Sequence, residues 1–341
     1  MEYKNIIVRM PNWLGDIVMA TPILKALRNF FPDSKITLMC QHPSSAILQE
    51  DPNVDEIFSF KRSKPIFFRR DTTCSITDKL KIGNYDLGIL LTNSFSSAWW
   101  FFQGNVKERI GYKNFPRDFL LTKSMKKPSK HALYHQVDEY ADLLRLINVS
   151  FGKLEPKLYL KDEEVIEAKQ KLFLLGINFD KKIIGVCAGA SYGTAKRWPK
   201  EYFIELLKMF SSEFNPPQFI FLGDASTSSY IDEICVNYPM IAWNLSGKTT
   251  LRELMSFISL SDLFLTNDSG PMHMAAALDK KVLALFGSTS KERTGPYRKG
   301  KVLYEKVFCS PCYRRTCPLD FRCMKQLTPE KVFHEIQVML H

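Results

Sequence analysis

The chain has 341 residues, 45% of them apolar and 24% charged, and a formal net charge of +11. That length exceeds one average domain and predicts two, of about 150 to 170 residues each. No run of about 18 apolar residues occurs, which argues against a spanning helix; the N-terminus leads straight into Ile6-Ile7-Val8 without a signal-peptide layout, so a cytoplasmic protein is expected. The positive balance calls for an anionic partner, whether nucleic acid, a phosphorylated substrate or an acidic membrane surface.

Residues 5–10 read as a strand, 17–31 as an amphipathic helix, and 35–40 and 55–60 as further strands. Basic residues then gather at Lys61-Arg62-Ser63-Lys64, Arg69-Arg70, 107–113 and 123–130, with Phe67-Phe68, Trp99-Trp100-Phe101-Phe102 and Phe115 among them. Such runs are commonly solvated surface, but interleaved with aromatics they also suit an amphiphile bearing phosphates and acyl chains. Residues 86–91 form an apolar run of the buried-strand type, 131–148 have helical spacing, and 151–161, with Gly152 and Pro156, have linker composition.

The alternation then restarts. Strands are expected at 182–187, 218–222, 263–265 and 282–286, and helices at 199–214, 230–238, 251–260, after Pro271 and at 329–340. Strand–helix alternation means parallel sheets covered by helices on both faces, so the fold class is α/β with two such domains, 1–155 and 156–341. The last helix is a candidate to pack back on the N-terminal domain. Two such units place a cleft between them, and ligands of open α/β sheets bind beyond the carboxyl ends of the strands.

Three strand-to-helix loops carry the polar chemistry. Pro11-Asn12-Trp13-Leu14-Gly15-Asp16 follows the first strand; Gly15 permits close backbone approach, and Asp16 can either cap the helix or act as a general base. Gly189-Ala190-Ser191-Tyr192-Gly193-Thr194-Ala195-Lys196-Arg197-Trp198-Pro199 combines small residues with a basic pair before a helix, a pattern suited to phosphate. It is not a Walker A loop, and no Gly-x-Gly-x-x-Gly fingerprint follows the first strand, so P-loop hydrolases and nicotinamide dehydrogenases lose support. Asn267-Asp268-Ser269-Gly270-Pro271-Met272-His273 runs from a strand into a helix start, where unpaired N–H groups favour an anion. Asp268 is expected to cap that helix and orient its donors rather than touch phosphate, and His273 stands one turn into the helix.

Of the eight cysteines, Cys309-x2-Cys312-x4-Cys317-x5-Cys323 form a cluster in which only the first pair has the short spacing of a zinc knuckle. These four are expected to be reduced, packed thiols rather than an obligatory metal site, with zinc as the alternative.

The order and spacing of these three segments, with the region from Cys309-Ser310-Pro311-Cys312 to Cys323-Met324, resemble the lipopolysaccharide heptosyltransferases of glycosyltransferase family 9 nearly end to end, and among them the heptosyltransferase II type. The resemblance implies a GT-B fold of two Rossmann-like domains, with the acceptor bound by the first domain and the donor by the second. It implies inverting transfer of L-glycero-D-manno-heptose from ADP-heptose to the first heptose of the inner core, carried on Kdo and lipid A. Asp16 would be the base, and Asn12, Trp13 and Gly15 would border the acceptor. Gly189, Ala190 and Ser191 would line the donor, Lys196 would neutralise its phosphate charge, and Ser269 and Gly270 would hold the diphosphate with Asp268 and His273 nearby. Residues 245–250, including Thr249, would border adenine, and Gly223 and Asp224 would contact the ribose. Neither a cofactor nor a metal belongs to this pattern. A monomer at the inner face of the cytoplasmic membrane is implied, with no nucleic-acid partner. The alternatives are transfer at another core position, of the heptosyltransferase I or III type, or a sugar-nucleotide epimerase of the same fold.

Overall fold

The computed structural model describes residues 3–61, 69–129 and 134–341, with side chains described from residue 73 in the second of these segments. Arg62-Ser63-Lys64, Phe67-Phe68, Lys130 and the start of the helix expected from 131 lie outside the described residues, as do the side chains of Arg69 and Arg70. The chain divides into two units, Met1–Leu158 and Tyr159–His341.

In the first unit the elements run β1 (Asn5–Arg9), α1 (Leu14–Ala20), α2 (Pro22–Phe30), β2 (Lys35–Gln41), β3 (Glu56–Phe60), α3 (Arg69–Gly83), β4 (Leu87–Leu90), α4 (Phe95–Gln103), β5 (Glu108–Tyr112), β6 (Lys123–Met125) and α5 (Gln136–Asp142). All six strands are parallel, in the order β3-β2-β1-β4-β5-β6. Ile6, Ile7 and Val8 are fully buried, as a central parallel strand covered on both faces requires. The single helix expected over 17–31 is broken at Thr21-Pro22: proline brings no N–H, and the Thr21 hydroxyl instead donates to the Val18 carbonyl at 2.8 Å. The helix expected to reach Asn148 stops at Asp142, continues as a 3-10 turn over Leu143–Ile147, and ends on Asn148 in the left-handed region (φ 56°).

The second unit repeats the plan with α6 (Asp162–Leu174), β7 (Ile183–Cys187), α7 (Lys200–Ser211), β8 (Gln218–Phe221), α8 (Ser228–Cys235), β9 (Ala242–Asn244), α9 (Leu251–Ser259), β10 (Leu263–Asn267), α10 (Gly270–Ala277), β11 (Lys281–Phe286), α11 (Lys291–Thr294), β12 (Lys301–Tyr304), α12 (Arg322–Lys325) and α13 (Pro329–Leu340). Its sheet is again parallel, in the order β12-β11-β10-β7-β8-β9. Helix starts follow local chemistry: at α9 the Thr250 hydroxyl accepts from the Glu253 N–H while the Glu253 carboxylate accepts from the Thr250 N–H. The last helix, α13, buries Val332 and Ile336 in its own unit's core, beside Phe210 of α7 and Leu283 and Leu285 of β11. Among the described residues no helix is long and apolar enough to cross a membrane.

Helix α4 was hidden in the sequence because its Trp-Trp-Phe-Phe run carries no clear period. Packing chooses its inner face: Phe101 lies over Gly88 of β4, where a Cβ would meet the ring at 2.6 Å, and Phe102 points outward. Phe101→Ala is therefore expected to cost about 3–5 kcal/mol of stability, and Phe102→Ala no more than about 0.5 kcal/mol. Urea unfolding of the two variants beside the wild-type chain checks the contrast.

Candidate functional site

Both sheets reverse direction of build beside their first strand, between β1 and β4 in one unit and between β7 and β10 in the other. At such a switch point the loops on either side leave in opposite directions, and the carboxyl edge is open to a ligand. The three loops singled out by sequence leave β1, β7 and β10, so all of them stand at a switch point.

In the first unit, α1 begins at Leu14 with Trp13 as N-cap, so Gly15 and Asp16 occupy its first turn and Asp16 is not the cap. The amino end of a helix favours the ionised carboxylate. Asp16 is half-buried, and its Oδ1 accepts from the hydroxyl of Tyr140 on α5 at 3.3 Å. Burial first, and then the negative charge of Asp16, hold the Tyr140 phenol far above its ordinary pKa, so it stays a donor. Beside it, Asn12 accepts from the buried Arg9 guanidinium at 2.6 Å; Arg9 also donates to the Met10 carbonyl and lies 4.9 Å from the Phe60 ring centre. Asn12 is thus oriented from beneath, and Trp13 is 63% exposed. Sequence reading missed Tyr140 and Arg9. The first is 124 residues from its partner, but a charged residue ending an apolar strand was a signal for the second.

In the second unit, Lys196 donates to Asp268 at 2.5 Å, and the same carboxylate oxygen accepts from the Thr289 hydroxyl at 2.6 Å. The pair is largely buried, with side-chain exposures of 13% for Lys196 and 6% for Asp268. Asp268 therefore does not cap α10. Ser269 holds the N-cap position, and its hydroxyl bonds Thr266 and Cys187 rather than the helix, leaving the first turn without a side-chain cap. The Lys196 ammonium also lies 4.8 Å from the Tyr192 ring centre, which Arg315 approaches at 5.3 Å. A cation so held is preorganised, whereas a free loop lysine would have to be ordered by its ligand.

Asn267 joins the two loops. It is fully buried, donates to the Ala188 carbonyl at 2.8 Å and accepts from the Trp198 N–H at 3.1 Å, so the loop after β7 cannot move independently of β10. Gly189 and Ala190 are buried at the base of this loop, and Ser191 is exposed. The cysteine-bearing segment forms its outer support: the Ala195 N–H donates to the Arg315 carbonyl at 2.9 Å, and a Cβ on Gly193 would stand 2.3 Å from that oxygen. The remaining candidates are placed less directly. His273 is buried in α10; Asp224 spends its carboxylate on Ser226 to start the turn Ala225–Thr227; Gly223 accepts from the Gly247 N–H at 2.9 Å; and Thr249 is half-buried just before α9. Thr289, Tyr192 and Arg315 were missed as supporting residues.

All eight cysteines are free. Burial pushes the Cys323 thiol up to about 11, with the charges of Cys309, Cys317 and Cys312 adding to the effect. Among the described residues no group of three or more His, Cys, Asp or Glu side chains is arranged to hold a metal ion.

With this geometry in view, the likenesses to known proteins are specific. The family Glycosyltransferase family 9 (heptosyltransferase) matches residues 73–321. Lipooligosaccharide heptosyltransferase 2 of Campylobacter jejuni is 30% identical over 98% of both chains, and lipopolysaccharide heptosyltransferase 2 of Salmonella typhimurium is 29% identical over 98% of both. The solved ADP-heptose lipopolysaccharide heptosyltransferase II of E. coli superposes with a TM-score of 0.82 at 27% identity, covering 100% of this chain and 98% of that one. The two parallel six-stranded sheets are those of the α/β GT-B class. The epimerase reading and the other core positions are not favoured by these likenesses. The chain belongs to glycosyltransferase family 9, the heptosyltransferases.

Proposed function

We propose that the protein transfers L-glycero-D-manno-heptose from ADP-heptose to the first heptose of the lipopolysaccharide inner core, with inversion at the anomeric carbon. The observation that carries this reading is the buried Lys196–Asp268–Thr289 arrangement beside the start of α10, which has no side-chain cap. It presents a fixed ammonium and free helix N–H groups where a diphosphate would gain charge as it leaves. Ser269 and Gly270 supply the helix end, Gly189, Ala190 and Ser191 the opposite wall, and Asp268 acts through Lys196 by orienting it. Thr249 borders the adenine, and Gly223 and Asp224 the ribose.

In the first unit, the Asp16 carboxylate takes the proton of the acceptor hydroxyl as that oxygen attacks the anomeric carbon. The bond to the diphosphate breaks on the opposite face, and ADP departs with the electron pair. Tyr140 holds Asp16 in position, and Asn12, Trp13 and Gly15 border the acceptor. The acceptor ends in lipid A, so the protein works at the cytoplasmic face of the inner membrane; the proposal takes it as a monomer. The net charge of +11 fits that surface.

Asp16→Asn is expected to lower turnover by about two to four orders of magnitude, with ADP-heptose affinity changed less than about three-fold. Steady-state transfer to a defined heptose-Kdo acceptor, read by mass spectrometry beside calorimetry of donor binding, checks both; wild-type turnover would remove Asp16 from the reaction.

Lys196→Ala is expected to weaken ADP-heptose binding about ten-fold or more. Because it strands a buried carboxylate, it should also lower the melting temperature by a few degrees, roughly 1–3 kcal/mol. The double variant Lys196→Ala/Asp268→Asn should regain most of that stability without regaining affinity. Donor affinity that survives the loss of Lys196 would show that the second loop has another purpose.

A further inference from the structure

The first unit displays aromatic rings where its own fold does not use them. On α4, Phe95, Trp99 and Phe102 recur at four- and three-residue intervals and form one exposed stripe, while Ala98 and Phe101 of the same helix face the core. Neighbouring rings of the stripe are 6.1 and 6.0 Å apart. The next loop along the sheet, after β5, adds Phe115 and Phe119, 6.0 Å from each other and 78% and 80% exposed. This loop is built, not loose. Asn114 donates to the Asn93 carbonyl at 2.9 Å, and the fully buried Arg117 donates to the Thr92 carbonyl at 2.5 Å, anchoring it against the loop that starts α4. A buried guanidinium thus holds in place a loop whose outward residues are two phenylalanines.

The charges around the rings are sorted as well. Lys113 follows β5 and Lys126 follows β6, two strands paired at Tyr112 and Met125, so both lysines stand at the carboxyl edge beside Phe115. Both are exposed, and neither has a carboxylate partner among the described residues. The nearby acids are already engaged: Glu108 with Lys123 at 2.6 Å, and Asp118 with the Asn114 N–H at 2.5 Å. Arg109 lies over the outer ring of the stripe, 5.5 Å from the centre of Phe102. Exposed apolar rings flanked by lysines without carboxylate partners match the boundary of an anionic bilayer, where rings enter the headgroup layer and ammonium groups meet lipid phosphate. A second copy of the chain fits less well, because a two-fold contact through this face would bring two sets of like-charged lysines into one interface.

We infer that the α4 stripe with the Phe115–Phe119 loop is the membrane-docking face, seated on anionic phospholipid. The inference rests on the proposed lipid-linked acceptor and adds where the bilayer touches. One end of the face, the Phe95 start of α4 with the Phe115–Phe119 loop, lies on the carboxyl edge that also carries Asp16, since β1, β4 and β5 are consecutive in the sheet; from there the stripe runs back along α4 to Phe102 beside Arg109 near the start of β5. The enzyme would therefore meet the membrane beside the loop where the sugar end of the acceptor must arrive.

The test uses the full chain and vesicles of phosphatidylglycerol with phosphatidylethanolamine, against vesicles of phosphatidylcholine alone. Wild type is expected to co-sediment with the anionic vesicles, and Phe115→Ser/Phe119→Ser and Lys113→Glu/Lys126→Glu each to lose about ten-fold or more in partition. Both pairs are exposed, so folding is preserved, and transfer to a lipid-free heptose-Kdo oligosaccharide should match wild type. Transfer to the same acceptor on lipid A in vesicles should fall with partition. Equal partition of wild type and both variants, or a wild-type dimer that both variants dissolve, would overturn the inference. Absence of transfer by wild type to either acceptor would instead overturn the proposed reaction, because vesicle partition is read without it.

Discussion

A parallel sheet whose order reverses beside its first strand must leave a gap between two departing loops. In the second unit, the side chain of Asn267 closes that gap. Its amide donates to the Ala188 and Gly189 carbonyls and accepts from the Trp198 N–H, all in the loop after β7, in a fully buried setting where an unmade bond would cost the whole desolvation of the group. Trp198, fixed by the same amide, donates its indole N–H to the Leu327 carbonyl at 2.7 Å, which ties the loop to the segment leading into α13. The position of Lys196 follows from these contacts, for the lysine lies two residues before Trp198 on the chain that Asn267 holds.

The Lys196–Asp268 pair sets stability and binding against each other. A largely buried ion pair is a poor source of stability, since its attraction is offset by lost hydration. Its value here is positional: the Asp268 carboxylate and the Tyr192 ring hold the ammonium in one place before any anion arrives. An ammonium has three donors, so one bond to Asp268 leaves two for a ligand. In the proposed reaction the negative charge of Asp268 would weaken the pull of Lys196 on the donor's phosphates, and that cost is what a preorganised cation requires. The first unit uses a neutral version of the same device, with Tyr140 directing a hydroxyl at Asp16 from a buried position.

The two faces of α4 show how one helix serves core and surface at once. Gly88 leaves room for Phe101, which fixes the rotation of the helix, and that rotation sends Phe95, Trp99 and Phe102 outward. The exposed rings are thus not spare core residues that failed to fit. They are the other side of a contact made for packing reasons, extended by a loop that a buried arginine holds in place.

The sequence by itself determined what depends on neighbours along the chain. Apolar runs of strand length and the proline starts of α10 and α13 were legible, and with them the alternation that dictates two parallel sheets. The three loops were legible too, because strand ends rich in Gly, Asn and Asp are local signals. Only the tertiary structure decided what those loops do with their charges. Asp268 looked like a cap, since its position before a helix is what sequence shows; its partners, Lys196 and Thr289, come from other loops of the sheet edge. Tyr140 and Asp16 meet across 124 residues, and Arg315 reaches Tyr192 from the far end of the unit. The run Trp99-Trp100-Phe101-Phe102 carries no period of its own, so which rings are buried was set by the sheet beneath it. Side-chain partnership across a sheet edge depends on strand order, and strand order is fixed by the packing of the whole domain, which no local stretch of sequence encodes.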